Sequence, residues 1–172
     1  KNEMKKKLVL PNVTLLAATS VDIEESQLAL RISSHNIKFG SVKLISHYPP
    51  QKKYPNIEYV RIPKMDFVGY NRLIIEDLHK YFETSHCLIV QADSFVVDSD
   101  FWKDEYLQFD YIGAPWSEKV CVNSKLTLNM KKNRVGNGGF SLRSRKLVEA
   151  TKKINFSSLK FPINHEDVII CH

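Results

Sequence analysis

Asp93 is the first candidate for a residue whose type and position could do chemistry. It follows a short apolar run, residues 87–90, which is typical of a strand buried on both faces. A carboxylate at the carboxyl end of such a strand lies where open α/β sheets bind ligands. There it could hold a divalent metal ion, which in turn could hold phosphate oxygens. The alternative is that Asp93 simply starts a turn.

A glycine-rich segment is the second candidate, because Gly136, Gly138 and Gly139 surround Asn137. Glycine lacks a Cβ atom, so the backbone there can approach a ligand closely or adopt a positive φ. The Asn137 side chain offers both a donor and an acceptor to a polar group such as a hydroxyl.

Glu166 and Asp167 form the third candidate, because they are adjacent acids that open an apolar segment. Acids are also favoured at a helix start for dipole reasons alone. On a helix the two side chains point about 100° apart, so both cannot address one reacting atom.

Taken together, four segments resemble a glycosyltransferase of the GT-A type, and in particular a bacterial and fungal glycosyltransferase family formerly of unknown function. They are Gln-Ala-Asp-Ser-Phe at 91–95, Asp-Tyr-Ile-Gly-Ala-Pro-Trp at 110–116, Gly-Asn-Gly-Gly-Phe-Ser-Leu-Arg-Ser at 136–144 and Glu-Asp-Val at 166–168. The resemblance runs from Val13 to the C-terminus. It implies a nucleoside diphosphate sugar as donor, bound over the first half of the sheet.

By this resemblance Asp93 is the metal ligand, and the metal is Mn²⁺ or Mg²⁺. Enzymes of this type carry two acids at the strand end, but here Gln91 replaces the first acid. A single carboxylate is a weak anchor for a divalent ion without substrate phosphates and waters. We therefore expect weak metal binding that a nucleoside diphosphate tightens, and metal-independent chemistry stays open.

The residues expected to bind donor or acceptor are polar, aromatic or glycine residues near the predicted ligand edge. They are Thr19, Ser20, Arg72, Gln91, Trp116, Asn137, Gly138 and Gly139. Thr19 and Ser20 could instead cap the following helix. Arg72 could be a solvated helix arginine, and Trp116 could cover the core rather than stack on a sugar. Arg143 and Arg145 are expected to face solvent or a diphosphate.

The catalytic residues expected from the resemblance are Asp167 and Glu166. Asp167 is assigned as the base that deprotonates the acceptor hydroxyl, which implies inversion at the anomeric carbon. Glu166 then caps the helix or orients a neighbour.

Alternating elements predict an α/β fold: a GT-A-like, Rossmann-like, mostly parallel sheet flanked by helices. The expected strands are residues 13–18, 42–46, 58–62, 87–90, 111–116 and 139–142, and the expected helices are residues 23–34, 68–82 and 145–153. Asp22 is expected to cap the first helix. A short helix is expected around residues 101–107, and a mobile functional loop over residues 117–134.

Composition limits the alternatives. The length of 172 residues suggests one domain, residues 1–172, which by the resemblance is glycosyltransferase-like. We expect part of the native protein to be missing beyond the C-terminus, because the chain stops soon after Asp167. The net charge is +6. The positive charge suits diphosphate substrates or an anionic membrane surface, with a solvated basic surface as the plainer interpretation. No nucleic-acid partner is expected, because a basic stripe with interleaved aromatic residues is missing. The three scattered cysteines favour a reducing cytoplasm, with peripheral contact at the inner face of the membrane left open.

These observations predict a glycosyltransferase that moves a sugar to a hydroxyl acceptor. The expected acceptor is a surface polysaccharide, a lipid-linked glycan or a protein. The expected process is polysaccharide biosynthesis. The alternative is a non-catalytic nucleotide- or glycan-binding module on the same fold, because the first metal-binding acid is missing. A nucleotidyltransferase is disfavoured, since no glycine- and lysine-rich loop follows the first strand.

Overall fold

The computed structural model describes residues 7–123, 126–129, 133–160 and 165–171. The strands within these ranges are β1 (Leu8–Thr19), β2 (Ile37–Ser46), β3 (Glu58–Arg61), β4 (His86–Ile89), β5 (Tyr111–Gly113), β6 (Lys119–Asn123), β7 (Leu126–Asn129) and β8 (Ser141–Ser144). The α-helices are α1 (Ile23–Ser33), α2 (Phe67–Arg72), α3 (Arg145–Thr151) and α4 (Glu166–Cys171). No helix in these ranges is both long enough and apolar enough to cross a membrane.

In the described ranges, six strands form the central sheet in the order β3-β2-β1-β4-β8-β5. The first four are mutually parallel, whereas β8 runs antiparallel to both β4 and β5. Helices cover both faces, because α1 packs in one apolar cluster while α3 and the segment after α2 pack in the other. The predicted α/β class, with a mostly parallel sheet flanked by helices, is confirmed.

β1 begins at Leu8, earlier than the predicted start at Val13. The residues before Pro11 pair with the start of β2, and the register shifts between Leu10 and Thr14. This irregularity brings the Pro11 carbonyl oxygen so close to Gly40 that a Cβ atom there would lie 2.2 Å from it. The bulge accommodates the proline inside the strand, so β1 continues through Pro11.

The predicted helix over residues 68–82 is helical but irregular. α2 continues as a π-helical turn, Leu73–Asp77, and then as a 3₁₀ turn, Leu78–Lys80. This irregular path buries Leu73, Ile74 and Leu78 against the sheet.

The secondary structure of two segments between residues 99 and 129 differs from the prediction. The expected short helix consists of two 3₁₀ turns, Ser99–Phe101 and Asp104–Gln108. The expected mobile functional loop over residues 117–134 contains β6 and β7, which pair as an antiparallel hairpin. Residues 124–125 and 130–132 of that predicted loop lie outside the described residues.

The starts of α3 and α1 differ in how they are capped. Ser144 caps α3, since its Oγ accepts from the Leu147 amide at 3.0 Å. At α1 the expected Asp22 side-chain cap is not formed by the described residues. The Thr19 hydroxyl instead accepts from the amides of Val21 and Asp22, each at 3.2 Å.

We expect Gly40→Ala to destabilise the protein by about 1–3 kcal/mol, because the added methyl group overlaps the Pro11 carbonyl and must push β1 from β2. Urea unfolding followed by circular dichroism measures the change. Lys38→Ala, an exposed substitution on the same strand, is the control and should stay within about 0.5 kcal/mol of the parent. Equal stability of Gly40→Ala and Lys38→Ala would contradict the assigned bulge.

Candidate functional site

A cavity of about 500 Å³ opens at the carboxyl ends of β1 and β4. The chain leaves β1 towards β2 on one side, and later places β4 on the other side of β1. The cavity therefore lies at the topological switch point of the sheet, where open α/β folds bind ligands. Its lining includes Thr19, Ser20, Gln91 and Asp93, which the sequence had nominated.

A tight turn holds Asp93 at the cavity. The backbones of Gln91 and Ser94 bond to each other in both directions, at 3.2 and 3.1 Å, so Ala92 and Asp93 form the tip. Ser94 also donates from its hydroxyl to the Gly139 carbonyl oxygen at 2.7 Å. The Asp93 side chain is exposed there. Asp93 is thus both a turn residue and a carboxylate presented to the cavity.

The hydroxyl groups of Thr19 and Ser20 already serve the protein as acceptors. Thr19 holds the start of α1, and Ser20 Oγ accepts from the Met65 amide at 3.0 Å. The capping alternative for Thr19 is therefore realised. These hydrogen bonds fix the orientations of the Thr19 and Ser20 side chains, which both line the cavity.

The opposite wall of the cavity comes from α2, through Phe67 and Tyr70. The Tyr70 hydroxyl accepts from Gln91 Nε2 at 3.0 Å, and this bond connects two residues of the cavity lining. Burial raises the pKa of Tyr70, and the nearby Glu166 carboxylate adds to the increase. Tyr70 therefore stays a neutral phenol at physiological pH.

The glycine-rich segment packs against protein rather than lining this cavity. The Trp116 indole occupies the space of a Gly136 side chain, since a Cβ atom there would lie 1.6 Å from Trp116 Nε1. Asn137 adopts the left-handed conformation, with φ of 55°, and is exposed. A Cβ atom on Gly139 would lie 2.7 Å from Gln91 Oε1. The segment therefore adjoins the cavity through Gly139 and Gln91.

A buried ion pair lies behind Gly138. Arg143 on β8 is 1% exposed and Glu166, the first residue of α4, is 5% exposed. Arg143 Nη2 lies 2.7 Å from Glu166 Oε2. Burial raises the pKa of the Glu166 carboxyl, and the Arg143 guanidinium opposes the increase. The expectation that Arg143 faces solvent or a diphosphate is wrong, because both faces of β8 are buried and the side chain pairs with Glu166.

Arg145 makes a different set of contacts from its neighbour Arg143. Its Nη1 atom donates to the carbonyl oxygens of His79 and Phe82, at 2.9 and 2.5 Å. These bonds satisfy carbonyl groups at the end of the 3₁₀ turn after α2. Arg145 is thus a structural residue away from the cavity lining.

Asp167 lies next to this ion pair but is less buried. Its Oδ2 atom accepts from the Gly138 amide at 3.3 Å, and its Oδ1 atom accepts from the Val168 amide at 2.9 Å. Glu166 instead has its amide held by Asn71 Oδ1 at 2.7 Å. The two adjacent acids therefore differ in environment: one is locked in an ion pair, and the other is a half-buried carboxylate.

Arg72 is another nominated residue that lies outside the cavity lining. Its Nη2 atom donates to Ser157 Oγ at 3.2 Å, and it lines a neighbouring groove with Lys64 and Asp77. Sequence reasoning missed Tyr70 and Asn71, which precede it on α2. The helical period could have indicated them, because Phe67 and Tyr70, three residues apart, share a face.

The residues present fit a divalent ion only in part. Asp93 offers an exposed carboxylate, while the described residues contain no cluster of three His, Cys, Asp or Glu side chains able to hold a metal. Mg²⁺ is commonly bound by one or two carboxylates together with substrate phosphates. The donor set therefore fits an ion that arrives with a phosphorylated ligand.

We expect Gly138→Ala to reduce stability by about 1–3 kcal/mol, because the added Cβ atom would overlap the buried ion pair. Such an atom would lie 1.8 Å from Glu166 Oε1 and 2.7 Å from Arg143 Nη2. Asn137→Gly is the matched control, because glycine accepts the left-handed φ of this position. Thermal unfolding should separate the two variants, and a Gly138→Ala protein as stable as the control would refute the assigned packing.

Comparison with known proteins places the chain in a family. A family model described as "Protein of unknown function (DUF5672)" matches residues 56–172. A search of curated proteins found no match. Among solved structures, the chain is similar to a mannosyltransferase from Pyrobaculum calidifontis in complex with GDP-Man and Mn²⁺, with 10% identity and a TM-score of 0.46. That similarity covers 82% of this chain and 48% of the other, so the chain spans about half the length of the solved protein. Because the family model matches well over half of the chain, the protein belongs to the DUF5672 family.

Proposed function

We propose that the protein is a glycosyltransferase that moves a sugar from a nucleoside diphosphate sugar to a hydroxyl acceptor. The observation that carries the proposal is the switch-point cavity, with Asp93 at its turn. Asp167 is bonded to Gly138 of the glycine-rich segment, which adjoins the cavity through Gly139. Of the four segments that resemble GT-A glycosyltransferases, the first lines the cavity, and the second and fourth contact the third at Gly136 and Gly138. A volume of about 500 Å³ is in the range of small-molecule sites.

Different residues of the site would bind different parts of the donor. Thr19, Ser20 and Gln91 offer fixed polar atoms to the ribose or base, and Phe67 offers an exposed ring. Asp93 would hold Mn²⁺ or Mg²⁺ together with the diphosphate. Such an ion, when bound, supplies a Lewis acid that neutralises charge on the leaving diphosphate. Exposed Asn137 provides an amide for a sugar hydroxyl.

Asp167 is the better base of the two adjacent acids. Glu166 is held in the ion pair with Arg143, whereas the half-buried Asp167 accepts only backbone amides in the described structure. In the proposed step the acceptor oxygen forms a bond to the anomeric carbon as the bond from that carbon to the diphosphate oxygen breaks. The acceptor proton passes to the Asp167 carboxylate, and the product has inverted configuration.

A binding module without catalysis is the second candidate. Gln91 stands where a second acid would strengthen the metal site, and its side chain is already bonded to Tyr70. Such a module would bind nucleotide sugars and release no nucleoside diphosphate.

A thermal-shift screen of UDP-glucose, UDP-galactose, UDP-N-acetylglucosamine and GDP-mannose, with and without Mn²⁺, tests the proposal. A bound donor raises the unfolding temperature by mass action. Donors that bind are then assayed for release of UDP or GDP, with water or a sugar as acceptor. Release supports the enzyme, binding without release supports the module, and no shift with any donor contradicts both.

We expect Asp93→Asn to remove most of the Mn²⁺ dependence of donor binding, because the amide has no charge to anchor the ion. Isothermal titration of UDP with and without Mn²⁺ measures the effect. The control is Asp66→Asn, which makes the same charge change at the same cavity while asparagine can keep the cap on Gly69. Unchanged Mn²⁺ dependence in Asp93→Asn would remove Asp93 from the metal site.

We expect Asp167→Asn to lower turnover by about 10²–10⁴ while donor binding is retained, because a positioned base is lost. Product analysis by NMR should show inversion in the parent protein. Retained configuration would overturn the mechanism, and near-normal turnover by Asp167→Asn would overturn the assignment of the base. Glu166→Gln should instead lose stability, because it leaves the buried Arg143 charge without its partner.

A further inference from the structure

We infer that Arg143 is a positioning residue for the reaction, and that it sets the orientation of the Asp167 carboxylate. It acts through two groups that it holds at once, the Gly138 backbone and the Glu166 side chain. The inference rests on the proposed function for its kinetic consequence, while its structural part stands on the contacts alone.

Arg143 connects segments that are distant in the sequence. Its Nε atom donates to Ser141 Oγ at 3.0 Å, and its Nη2 atom lies 3.5 Å from the Gly138 carbonyl oxygen and 2.7 Å from Glu166 Oε2. The guanidinium also lies over the Tyr111 ring, 5.3 Å from its centroid. The Arg143 side chain thus joins β8, the glycine-rich segment and the start of α4.

Asp167 is held from both sides by the groups that Arg143 fixes. The Gly138 amide donates to its Oδ2 atom at 3.3 Å, and Glu166 precedes it on α4. α4 covers six described residues, and isolated helices of that length are unstable in water. Its position therefore depends on tertiary anchors. They include the Arg143–Glu166 ion pair and the bond from the Glu166 amide to Asn71 Oδ1 at 2.7 Å at its start, and the bond from Asn133 Nδ2 to the Cys171 carbonyl oxygen at its end.

The same network reaches the cavity. Gly139 follows Gly138 and accepts from Ser94, the last residue of the turn that carries Asp93. Tyr70 in the cavity wall is bonded to Gln91, and the Glu166 carboxylate is close enough to affect its ionisation. An orientation set at Arg143 is thus shared between the proposed base and the donor side of the site.

The chemistry of this role needs arginine rather than any cation. The guanidinium is planar and presents several donors in a fixed geometry, so it can serve Ser141, Gly138 and Glu166 together. Lysine keeps the positive charge for Glu166 but has a single rotating ammonium group. Arg143→Lys therefore separates the charge from the geometry.

The experiment compares the parent protein with Arg143→Lys. We expect the variant to fold, with amide hydrogen exchange at Gly138 faster by at least about tenfold in NMR spectra, because its acceptor Asp167 is no longer held. Turnover of the best donor from the UDP-sugar and GDP-mannose panel should fall by about 10–100-fold, while the donor KM changes by less than about twofold. A general loss of stability alone would not lower kcat while leaving the donor KM nearly unchanged.

Arg145→Lys is the matched control, because Arg145 is the next arginine in the chain and its Nη1 atom bonds to the His79 and Phe82 carbonyl oxygens instead. It should leave both Gly138 exchange and turnover unchanged. If Arg143→Lys does not fold, the double variant Arg143→Met with Glu166→Met replaces it, because apolar residues often substitute for a buried ion pair without loss of stability. Parent-like Gly138 exchange in the folded variant overturns the inference. If the parent releases no nucleoside diphosphate from any donor, the proposed function fails while the exchange result still decides the positioning role.

Discussion

The buried Arg143–Glu166 ion pair is the interaction on which the arrangement of the candidate site depends. It joins the antiparallel strand β8 to the first turn of α4 at 2.7 Å, with both side chains nearly inaccessible to solvent. Removing one member of such a pair costs about 3–5 kcal/mol, because the remaining charge is buried without its partner. The pair also explains why residue 138 is a glycine, since its backbone passes directly over the Glu166 carboxylate.

This constraint gives the two adjacent acids different properties. The Glu166 carboxylate pairs with Arg143, and the Glu166 amide donates to Asn71 Oδ1. Asp167 stays half-buried on the Gly138 amide, which leaves a carboxylate beside the glycine-rich segment. An acid that anchors the helix and the acid proposed as the base can be neighbours because consecutive helical side chains point in different directions.

The sheet supplies the second half of the site through its topology. β1 and β4 are adjacent parallel strands, and the connections that leave them diverge, so their carboxyl ends open a cavity. The Gln91–Ser94 turn presents Asp93 at that opening and bonds to Gly139 on the other segment. The cavity and the glycine-rich segment are therefore two parts of one continuous region, joined by Ser94, Gln91 and Tyr70.

The sequence by itself determined the α/β class, because buried parallel strands are continuous apolar runs and the intervening helices have their own period. It also determined that Asp93 follows a strand end and that a helix begins at Arg145, since both are local properties of the chain. It did not determine the bulge at Pro11, the inward direction of Arg143 or the partner of Glu166. These depend on which strands are neighbours and on contacts between residues far apart in sequence. Only the tertiary structure decided that Gly138 makes room for a buried carboxylate, because the atoms that would clash with a side chain come from another element.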